Sequence, residues 1–383
     1  FIYSFSAPAV FEWIEQVDPD LFEEIRARVR EGRWDVRAEG WWLQPDCNLP
    51  SGESLVRQGL YGQRYLREKF GVTATTVFNS DSFGHSAMMP QILKKSGVDY
   101  YVFSRPSASE KALEDDLFRW TSPDGSSVTA YRVGSEGDGS YAQNLSGCMT
   151  AMLQALCGRA HDGAIVYGVT DHGGAPTKKG LREIHEMQSA RTDAEIRFGS
   201  TTDFFSAQNA EEVPMFRGEL QPLFYGPFSN HAEIKRNNRK AEIALHDMEF
   251  ANVYARAPRH KETDALYKVL LQNQFHDILP GTSIQSVNDR ACREVRLSSN
   301  AAKRLLKQFL LDSVAATRPV EGAEAEGLKN GARAFVGRRA GADDSLKGSG
   351  HVTLVNTLSH ERRDAVLLPD EGMAVAGAAL VAL

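Results

Sequence analysis

The sequence lacks the features that would place the chain in a membrane, on nucleic acid or in a disulfide-stabilised class. Its 383 residues contain no apolar run of about 18 residues, the length that crosses a bilayer. The net charge of -6 offers no basic surface for nucleic acid. None of the four cysteines forms a CxxC pair, which argues against a zinc knuckle or a redox motif. These absences, with no signal-peptide pattern, predict a cytoplasmic protein that binds neither nucleic acid nor membrane.

The sequence also lacks an initiator methionine. It opens on FIYSFSAPAV, a pattern typical of a strand that leads into a turn, and we therefore expect a preceding segment to be missing. The length predicts two or three domains. The first part alternates between strand patterns, such as residues 100–103, and helical patterns that begin after Asp18 and Ser51. This βαβ alternation predicts an α/β fold with a parallel sheet or barrel.

The stretch 75–86, TTVFNSDSFGHS, carries the first candidate functional residue. Its β-branched and apolar start predicts a buried strand, and the polar residues from Asn79 to Gly84 are typical of a turn. Asp81 therefore follows the carboxyl end of a strand, the edge at which α/β folds bind ligands. The alternative is that Asp81 only caps a turn, which is the commoner role of a lone aspartate.

Two further stretches place polar groups at the ends of predicted elements. An apolar run at 164–167 predicts a strand that leads into the glycine-rich loop GVTDHGG, which holds Asp171 and lacks P-loop spacing. The alternative for this loop is a plain strand-to-helix turn. In QFHDILPGTS, His276 and Asp277 precede a Pro-Gly pair and so lie where a helix ends. The alternative for His276 is a favourable interaction with the helix dipole.

Helical and then irregular patterns follow the α/β part. Apolar residues at helical spacing between 225 and 317 predict a helical bundle. Two predicted buried faces are Ala241, Ala244, Leu245, Met248 and Ala251, and Ile284, Val287, Ala291 and Val295. Residues 318–349 are rich in glycine, alanine and charge, which predicts a linker. Residues 350–383 contain two strand patterns and predict the start of a β domain.

Together these stretches resemble glycoside hydrolase family 38, the α-mannosidases of the bacterial and cytosolic type. The similar segments, in the family's order, are FEWIEQVDPDLFEEI, PDCNLPSGESLVRQGLYGQRYLREKFG, NSDSFGHSAMMPQILKKSGVDYY, GVTDHGGAPT, IKRNNRKAE and QFHDILPGTS. They cover most of residues 1–318. The resemblance implies a catalytic domain at 1–224, a seven-stranded parallel (β/α) barrel without its first strand. A three-helix bundle at 225–317 and the start of a β-sandwich at 350–383 would follow.

The resemblance also implies a role for each candidate residue. Asp81 corresponds to the catalytic nucleophile, which in the family also ligates zinc, and Asp171 corresponds to the general acid/base. His276 corresponds to another zinc ligand. The expected sugar-binding residues are Phe83, Arg105 and Asp277.

These roles imply a retaining, exo-acting α-mannosidase that releases terminal α-linked mannose from glycans or mannosides by double displacement. Such an enzyme needs two carboxyl groups about 5–5.5 Å apart, one to attack the anomeric carbon and one to protonate the leaving oxygen. The expected cofactor is one zinc per chain, with cobalt or another divalent metal as the alternative. The linkage, the aglycone and the formation of a homo-oligomer stay open.

One motif of the family is missing from this sequence. The family carries an HxD motif near its N-terminus that supplies two metal ligands, whereas the first of the ten histidines here is His85. We expect the motif to precede Phe1 in the full-length protein, since Asp81, Asp171 and His276 are all retained. Two alternatives stay open. One is a carbohydrate-binding relative whose catalysis has decayed, and the other is a metal-dependent carbohydrate deacetylase, although the His-x-x-x-His spacing that it needs is absent.

Overall fold

The computed structural model describes residues 1–134, 145–168, 175–221, 226–254 and 260–316, with two short strands at 334–335 and 354–355. The chain divides into two compact units. Unit one comprises Phe1–Glu242 and Tyr267–Ser298, and unit two comprises Ile243–Leu266 and Ser299–Leu383. Among the described helices, none is both long enough and apolar enough to cross a membrane.

Several of the helices begin or end at capping residues that the sequence displays. Their bounds are α1 Pro8–Val17, α2 Pro19–Arg30, α3 Gly52–Phe70, α4 Met89–Lys95, α5 Leu145–Ala155, α6 Lys178–Ala190, α7 Thr201–Ser206, α8 Gly226–Ser229, α9 Ala232–Tyr254, α10 His260–Gln272 and α11 Gln285–Ala316. Two predicted N-caps are confirmed. The side chain of Asp18 accepts from the Leu21 amide at 3.0 Å, and that of Ser51 accepts from the Ser54 amide at 3.2 Å. Gly71 ends α3 with a φ of 70°, a conformation that favours glycine.

Five strands of unit one form a single sheet. The strands of the described chain are β1 Tyr3–Ser4, β2 Trp34–Asp35, β3 Thr76–Asn79, β4 Tyr100–Phe103, β5 Leu117–Thr121, β6 Ser127–Arg132, β7 Met215–Arg217, β8 Ala334–Phe335 and β9 Leu354–Val355. The sheet has the order β3-β4-β6-β5-β7, and β1 pairs separately with β2. Strands β3, β4 and β6 are mutually parallel, and β7 is parallel to β5.

This sheet confirms the α/β class but differs in detail from the predicted seven-stranded parallel barrel. Within the described residues it has five strands, it does not close on itself, and β5 pairs with β6 in antiparallel orientation. The antiparallel pair follows from the sequence SPDGS at 122–126, because a connection this short can join two strands only as a hairpin. Gly125, with a φ of 88°, donates its amide to the Ser122 carbonyl at 3.0 Å in this turn.

The strand predicted at 164–167 is not a strand among the described residues, so this prediction is wrong. The side chains of residues 164–167 nevertheless point alternately to opposite sides of the segment. Ala164 and Val166 pack against one hydrophobic cluster, and Ile165 and Tyr167 pack against another. The apolar run therefore reflects burial on both sides of an extended segment that lacks ladder pairing in this part of the structure.

The range 225–317, for which a helical bundle is predicted, is largely helical in the described residues. Helices α9, α10 and α11 all fall in the range 225–317, and the predicted face of α9, from Ala241 to Ala251, is buried. Ile284 is 72% exposed, because α11 begins one residue later and leaves it outside the helix. In unit two, β8 and β9 form an antiparallel pair, with β8 inside the predicted linker. The remainder of 318–383 lies outside the described residues.

Helix α3 packs very closely against the segment that precedes it. A Cβ atom on Gly62 would lie 2.2 Å from the carbonyl oxygen of Gly40, a distance that no real contact allows. The close approach holds Trp41, a buried residue of the cluster beneath the sheet, whose Nε1 donates to Asn79 Oδ1 at 2.9 Å. Through Trp41, the packing of α3 therefore supports the end of β3.

We predict that Gly62→Ala lowers the free energy of unfolding by about 3 kcal/mol, since the methyl group forces two backbone segments apart. Gly52→Ala is the matched control. A Cβ at Gly52 meets nothing within 4 Å, so this variant should be neutral or stabilising by at most about 1 kcal/mol. Urea unfolding of both variants measures the difference, and equal stabilities would contradict the described packing.

Candidate active site

The turn that holds Asp81 is fixed by a buried hydrogen-bond network. Strand β3 ends at Asn79, whose Nδ2 donates to Ser82 Oγ at 3.0 Å, and Ser82 Oγ donates to the Pro45 carbonyl at 2.9 Å. Asn79 and Ser82 are fully buried, whereas the Asp81 side chain between them is 23% exposed. The network therefore holds the backbone on both sides of a carboxylate that is still accessible.

Arg105 lies beside Asp81 because of the strand register. Asn79 of β3 is paired with Phe103 of β4 in a parallel ladder, and Asp81 and Arg105 follow these partners by the same two residues. Arg105 Nε forms an ion pair with Asp81 Oδ1, and the preceding residue, Ser104, donates its Oγ–H to the carbonyl of Ser80 in the loop after β3. The ion pair therefore holds the Arg105 guanidinium against the carboxylate of Asp81.

Phe83 completes this side of the site. The Arg105 guanidinium carbon lies 5.7 Å from the centroid of the Phe83 ring, within cation–π range. Phe83 itself is 6% exposed. The structure thus brings together three residues that the sequence predicts for the site: Asp81, Phe83 and Arg105.

The second part of the site is the turn between α10 and α11. The His276 amide donates to the Gln44 carbonyl at 3.3 Å, while Gln44 Nε2 donates to the Phe78 carbonyl at 2.7 Å. Gln44 therefore joins the His276 turn to strand β3. Asp277 is held within its own turn, where Thr282 Oγ1 donates to Asp277 Oδ1 at 2.7 Å.

Gln274 anchors the same turn from the buried side. Its Nε2 lies within hydrogen-bond distance of Ser54 Oγ, Asn238 Oδ1 and Glu242 Oε1, at 2.9 to 3.1 Å. The main-chain carbonyl of Gln274 accepts a hydrogen bond from the Asp46 amide at 2.9 Å. Gln274 is fully buried. Through its contacts, helix α3, helix α9 and the loop before α3 together fix the position of the turn that carries His276.

Asp81, His276 and Asp277 converge on one point. Each offers a ligand atom, and these atoms all lie within 4.8 Å of one another. Nε2 of His276 is 4.0 Å from an oxygen of Asp277. The sequence predicts Asp81 and His276 as metal ligands and Asp277 as a sugar-binding residue, and the structure brings the carboxylate of Asp277 into the same cluster.

His276 has the properties of a metal ligand rather than of a solvated helix-end cation. It is buried, and its Nδ1 has no hydrogen-bond partner among the described residues. Burial lowers the pKa of His276, although the carboxylates of Asp277 and Asp81 oppose this effect. The ring is therefore neutral near pH 7, the form that binds metal. One imidazole and neighbouring carboxylates are a donor set that fits zinc.

One predicted site residue cannot be placed. Asp171 belongs to the segment 169–174, which lies outside the described residues. Its distance from Asp81, and with it the separation of the two expected carboxyl groups, stays a prediction.

Sequence reasoning missed one residue of the site, His85. It is fully buried, its Nδ1 is 2.7 Å from the Tyr101 hydroxyl, and its Nε2 is 2.7 Å from the Arg105 carbonyl oxygen. Burial lowers its pKa to about 4. The only signal in the sequence was its position four residues after Asp81 in the same turn, which gives no hint of a partner on β4.

The fold and the site define an α/β protein with a candidate divalent-metal centre at the carboxyl edge of parallel strands. Two family profiles match the chain: "Glycosyl hydrolases family 38 N-terminal domain" over residues 1–224 and "Alpha mannosidase middle domain" over residues 223–312. The chain therefore belongs to glycoside hydrolase family 38.

Known proteins with similar sequences carry α-mannosidase names. Alpha-mannosidase G of Dictyostelium discoideum is 30% identical over 293 residues, which cover 74% of this chain and 27% of that protein. Alpha-mannosidase 2C1 of Homo sapiens is 30% identical over 306 residues, covering 76% of this chain and 29% of that protein. The chain thus spans under a third of the length of these relatives.

A solved structure supports the fold. The crystal structure of an alpha-mannosidase from Enterococcus faecalis V583 has a TM-score of 0.68 at 17% identity, covering 82% of this chain and 38% of that one. At this identity the likeness concerns the fold alone.

We predict that His85 makes stability depend on pH. In the unfolded chain its pKa is about 6.5, so below that value the unfolded state binds a proton that the folded state, with a pKa of about 4, refuses. Stability is therefore complete above pH 6.5 and falls as the pH drops toward 4. His85→Gln, which cannot titrate, removes this contribution.

The measurement is the free energy of unfolding of the wild type and of His85→Gln at pH 7 and pH 4.5. The wild type should lose about 2 kcal/mol more than the variant between these values. Equal losses in the two proteins would show that His85 titrates in the folded state as it does in water.

Proposed function

We propose that the chain forms the catalytic and middle part of a retaining, exo-acting α-mannosidase that acts on terminal α-linked mannose with a bound divalent metal. One observation carries this proposal. Asp81, a carboxylate at a strand end, has an oxygen within 4.8 Å of ligand atoms of both His276 and Asp277, and it is ion-paired with Arg105. Family membership and the α-mannosidase names of the relatives support the choice of mannose.

Asp81 is the proposed nucleophile. Its position at the carboxyl end of β3 leaves part of the side chain accessible, and Arg105 keeps one carboxylate oxygen in a fixed direction. In the first step an oxygen of Asp81 forms a bond to the anomeric carbon while the bond from that carbon to the leaving oxygen breaks. The fixed orientation lowers the barrier because little motion is left to lose.

Asp171 is the proposed general acid and base. In the first step its carboxyl proton moves to the leaving oxygen. In the second step its carboxylate takes a proton from water, the water oxygen bonds to the anomeric carbon, and Asp81 is released. Phe83 and Asp277 are proposed to contact the ring and the hydroxyls of the sugar.

Asp81 and His276 are proposed to hold the metal, for which zinc fits the donor set and cobalt is the alternative. A metal bound there would supply a Lewis-acid contact to neighbouring sugar hydroxyls and so help to orient the ring. The protein's own contribution is to keep the His276 ring neutral by burial and to hold its backbone through Gln44 and Gln274.

The substrate's remaining part stays open within this proposal. Besides the α-mannosidases, a relative from Halalkalibacterium halodurans that is 23% identical is named putative mannosylglycerate hydrolase. Glycans, simple mannosides and mannosylglycerate are therefore the aglycone classes to assay. None of the four cysteines is in a disulfide bond, which supports the cytoplasm as the proposed compartment.

Asp81→Asn should lower kcat/KM for nitrophenyl α-mannoside by at least about 1,000-fold, because an amide cannot form the covalent intermediate. The matched control is Asp99→Asn. Asp99 is also an ion-paired, partly exposed aspartate. It precedes strand β4 and therefore lies at the opposite end of that strand from Arg105 and the site. Full-length protein is assayed. Activity in Asp81→Asn close to that of Asp99→Asn would reject Asp81 as the nucleophile, and a wild type that binds mannose without turnover would favour a decayed binding protein.

Metal removal gives a separate prediction. Chelation should abolish activity, and zinc or cobalt should restore it. His276→Ala should weaken metal binding by at least about 100-fold, since it removes a proposed ligand. His185→Ala, at an exposed histidine on α6, should leave the affinity unchanged. Elemental analysis and titration with zinc measure both variants, and full metal content in His276→Ala would contradict the proposed ligand set.

A further inference from the structure

His85 occupies a position between the protein core and the charged pair of the site. Its ring lies edge-on to Tyr101 and Phe103, with centroids 5.5 and 5.6 Å away. Its backbone is fixed by two hydrogen bonds to Leu220, of 2.8 and 2.9 Å. The ring is thus rigidly placed, and both of its nitrogens have a partner at 2.7 Å.

The Arg105 carbonyl determines which nitrogen of His85 carries the proton. The Arg105 carbonyl can only accept, so Nε2 of His85 is the donor and Nδ1 the acceptor. The Tyr101 hydroxyl must then donate its proton to Nδ1. The low pKa of the buried ring agrees with this neutral tautomer. A donor chain therefore runs from Tyr101 through His85 to the Arg105 carbonyl.

Arg105 needs such an anchor. It lies two residues beyond the end of β4, where the ladder no longer holds the backbone. Its side chain nevertheless contacts two site residues, the carboxylate of Asp81 and the ring of Phe83. A shift of the Arg105 backbone would move the guanidinium relative to both.

We propose that His85 is a positioning residue: its Nε2–H holds the Arg105 carbonyl so that the guanidinium stays on Asp81, and the Tyr101 hydroxyl, by donating to Nδ1, holds the ring in this orientation. His85 contacts neither the sugar nor the reacting atoms. The inference rests on the proposed function, in which Asp81 attacks the anomeric carbon. Loss of the contact should therefore lower kcat more than it raises KM.

The test compares four variants of the full-length enzyme. His85→Leu removes the donor at similar volume, and His85→Gln retains an amide that can donate to the carbonyl. Tyr101→Phe removes only the hydroxyl that donates to Nδ1 and holds the ring. The matched control is Tyr131→Phe, on the adjacent strand β6, which also removes the hydroxyl of a buried tyrosine, one that lies 3.3 Å from the Ala164 carbonyl.

We expect kcat to fall about 30-fold in His85→Leu and less in His85→Gln and Tyr101→Phe, with metal content unchanged in all four. Tyr131→Phe should retain kcat within twofold. The proposal is overturned if folded His85→Leu, or Tyr101→Phe should His85→Leu not fold, keeps the wild-type kcat. It is also overturned if Tyr131→Phe loses as much as Tyr101→Phe.

A readout that is independent of activity separates this inference from the proposed function. The Arg105 Nε–H resonance, assigned by its loss in Arg105→Lys, reports the ion pair with Asp81 directly, and the ¹⁵N shifts of His85 report its tautomer. Proton on Nε2 in the wild type, and a changed Arg105 signal in Tyr101→Phe but not in Tyr131→Phe, support the inference even if no mannosidase activity is found. Proton on Nδ1, or an unchanged Arg105 signal, overturns it even in an active enzyme.

Discussion

The parallel pairing of β3 with β4 is the constraint on which the site depends. Because Asn79 is in register with Phe103, the two strands end at the same edge of the sheet. Asp81 and Arg105, each two residues further on, are therefore adjacent and form an ion pair. A slip of one residue would turn every side chain of the slipped strand to the opposite face of the sheet and separate the charges. The buried contacts around the strand ends, from Trp41 to Asn79 and from His85 to Arg105, all protect this register.

A second constraint brings in residues far away in the sequence. The turn with His276 lies nearly two hundred residues after Asp81, yet Gln44 contacts both that turn and strand β3. Gln274 fixes the buried side of the turn through Glu242 and Ser54. The site therefore depends on a network of buried hydrogen bonds within unit one. No disulfide bond fixes these segments, since none of the four cysteines is in one.

Local patterns predicted several helices and the strands β3 and β4, whereas the long-range pairing of strands did not follow from such patterns. The caps at Asp18 and Ser51 gave helix starts that the structure confirms, because capping depends on neighbours in sequence. The resemblance placed Asp81, Arg105 and His276, whose convergence no periodicity could indicate. The sequence analysis did not predict the antiparallel β5–β6 pair, which depends on the short turn at 122–126. It also did not predict the role of His85, which depends on a backbone carbonyl that carries no sequence signature.

The central claim is that Asp81 is the group that attacks the sugar. The most direct measurement is mass spectrometry of the full-length protein after reaction with a fluorinated α-mannosyl fluoride, which slows breakdown of a covalent intermediate. We predict one mannosyl adduct per chain on the peptide that contains Asp81, and we expect this adduct to form only while metal is bound. An adduct on Asp277 or on another carboxylate, or steady turnover with no adduct at all, would contradict it.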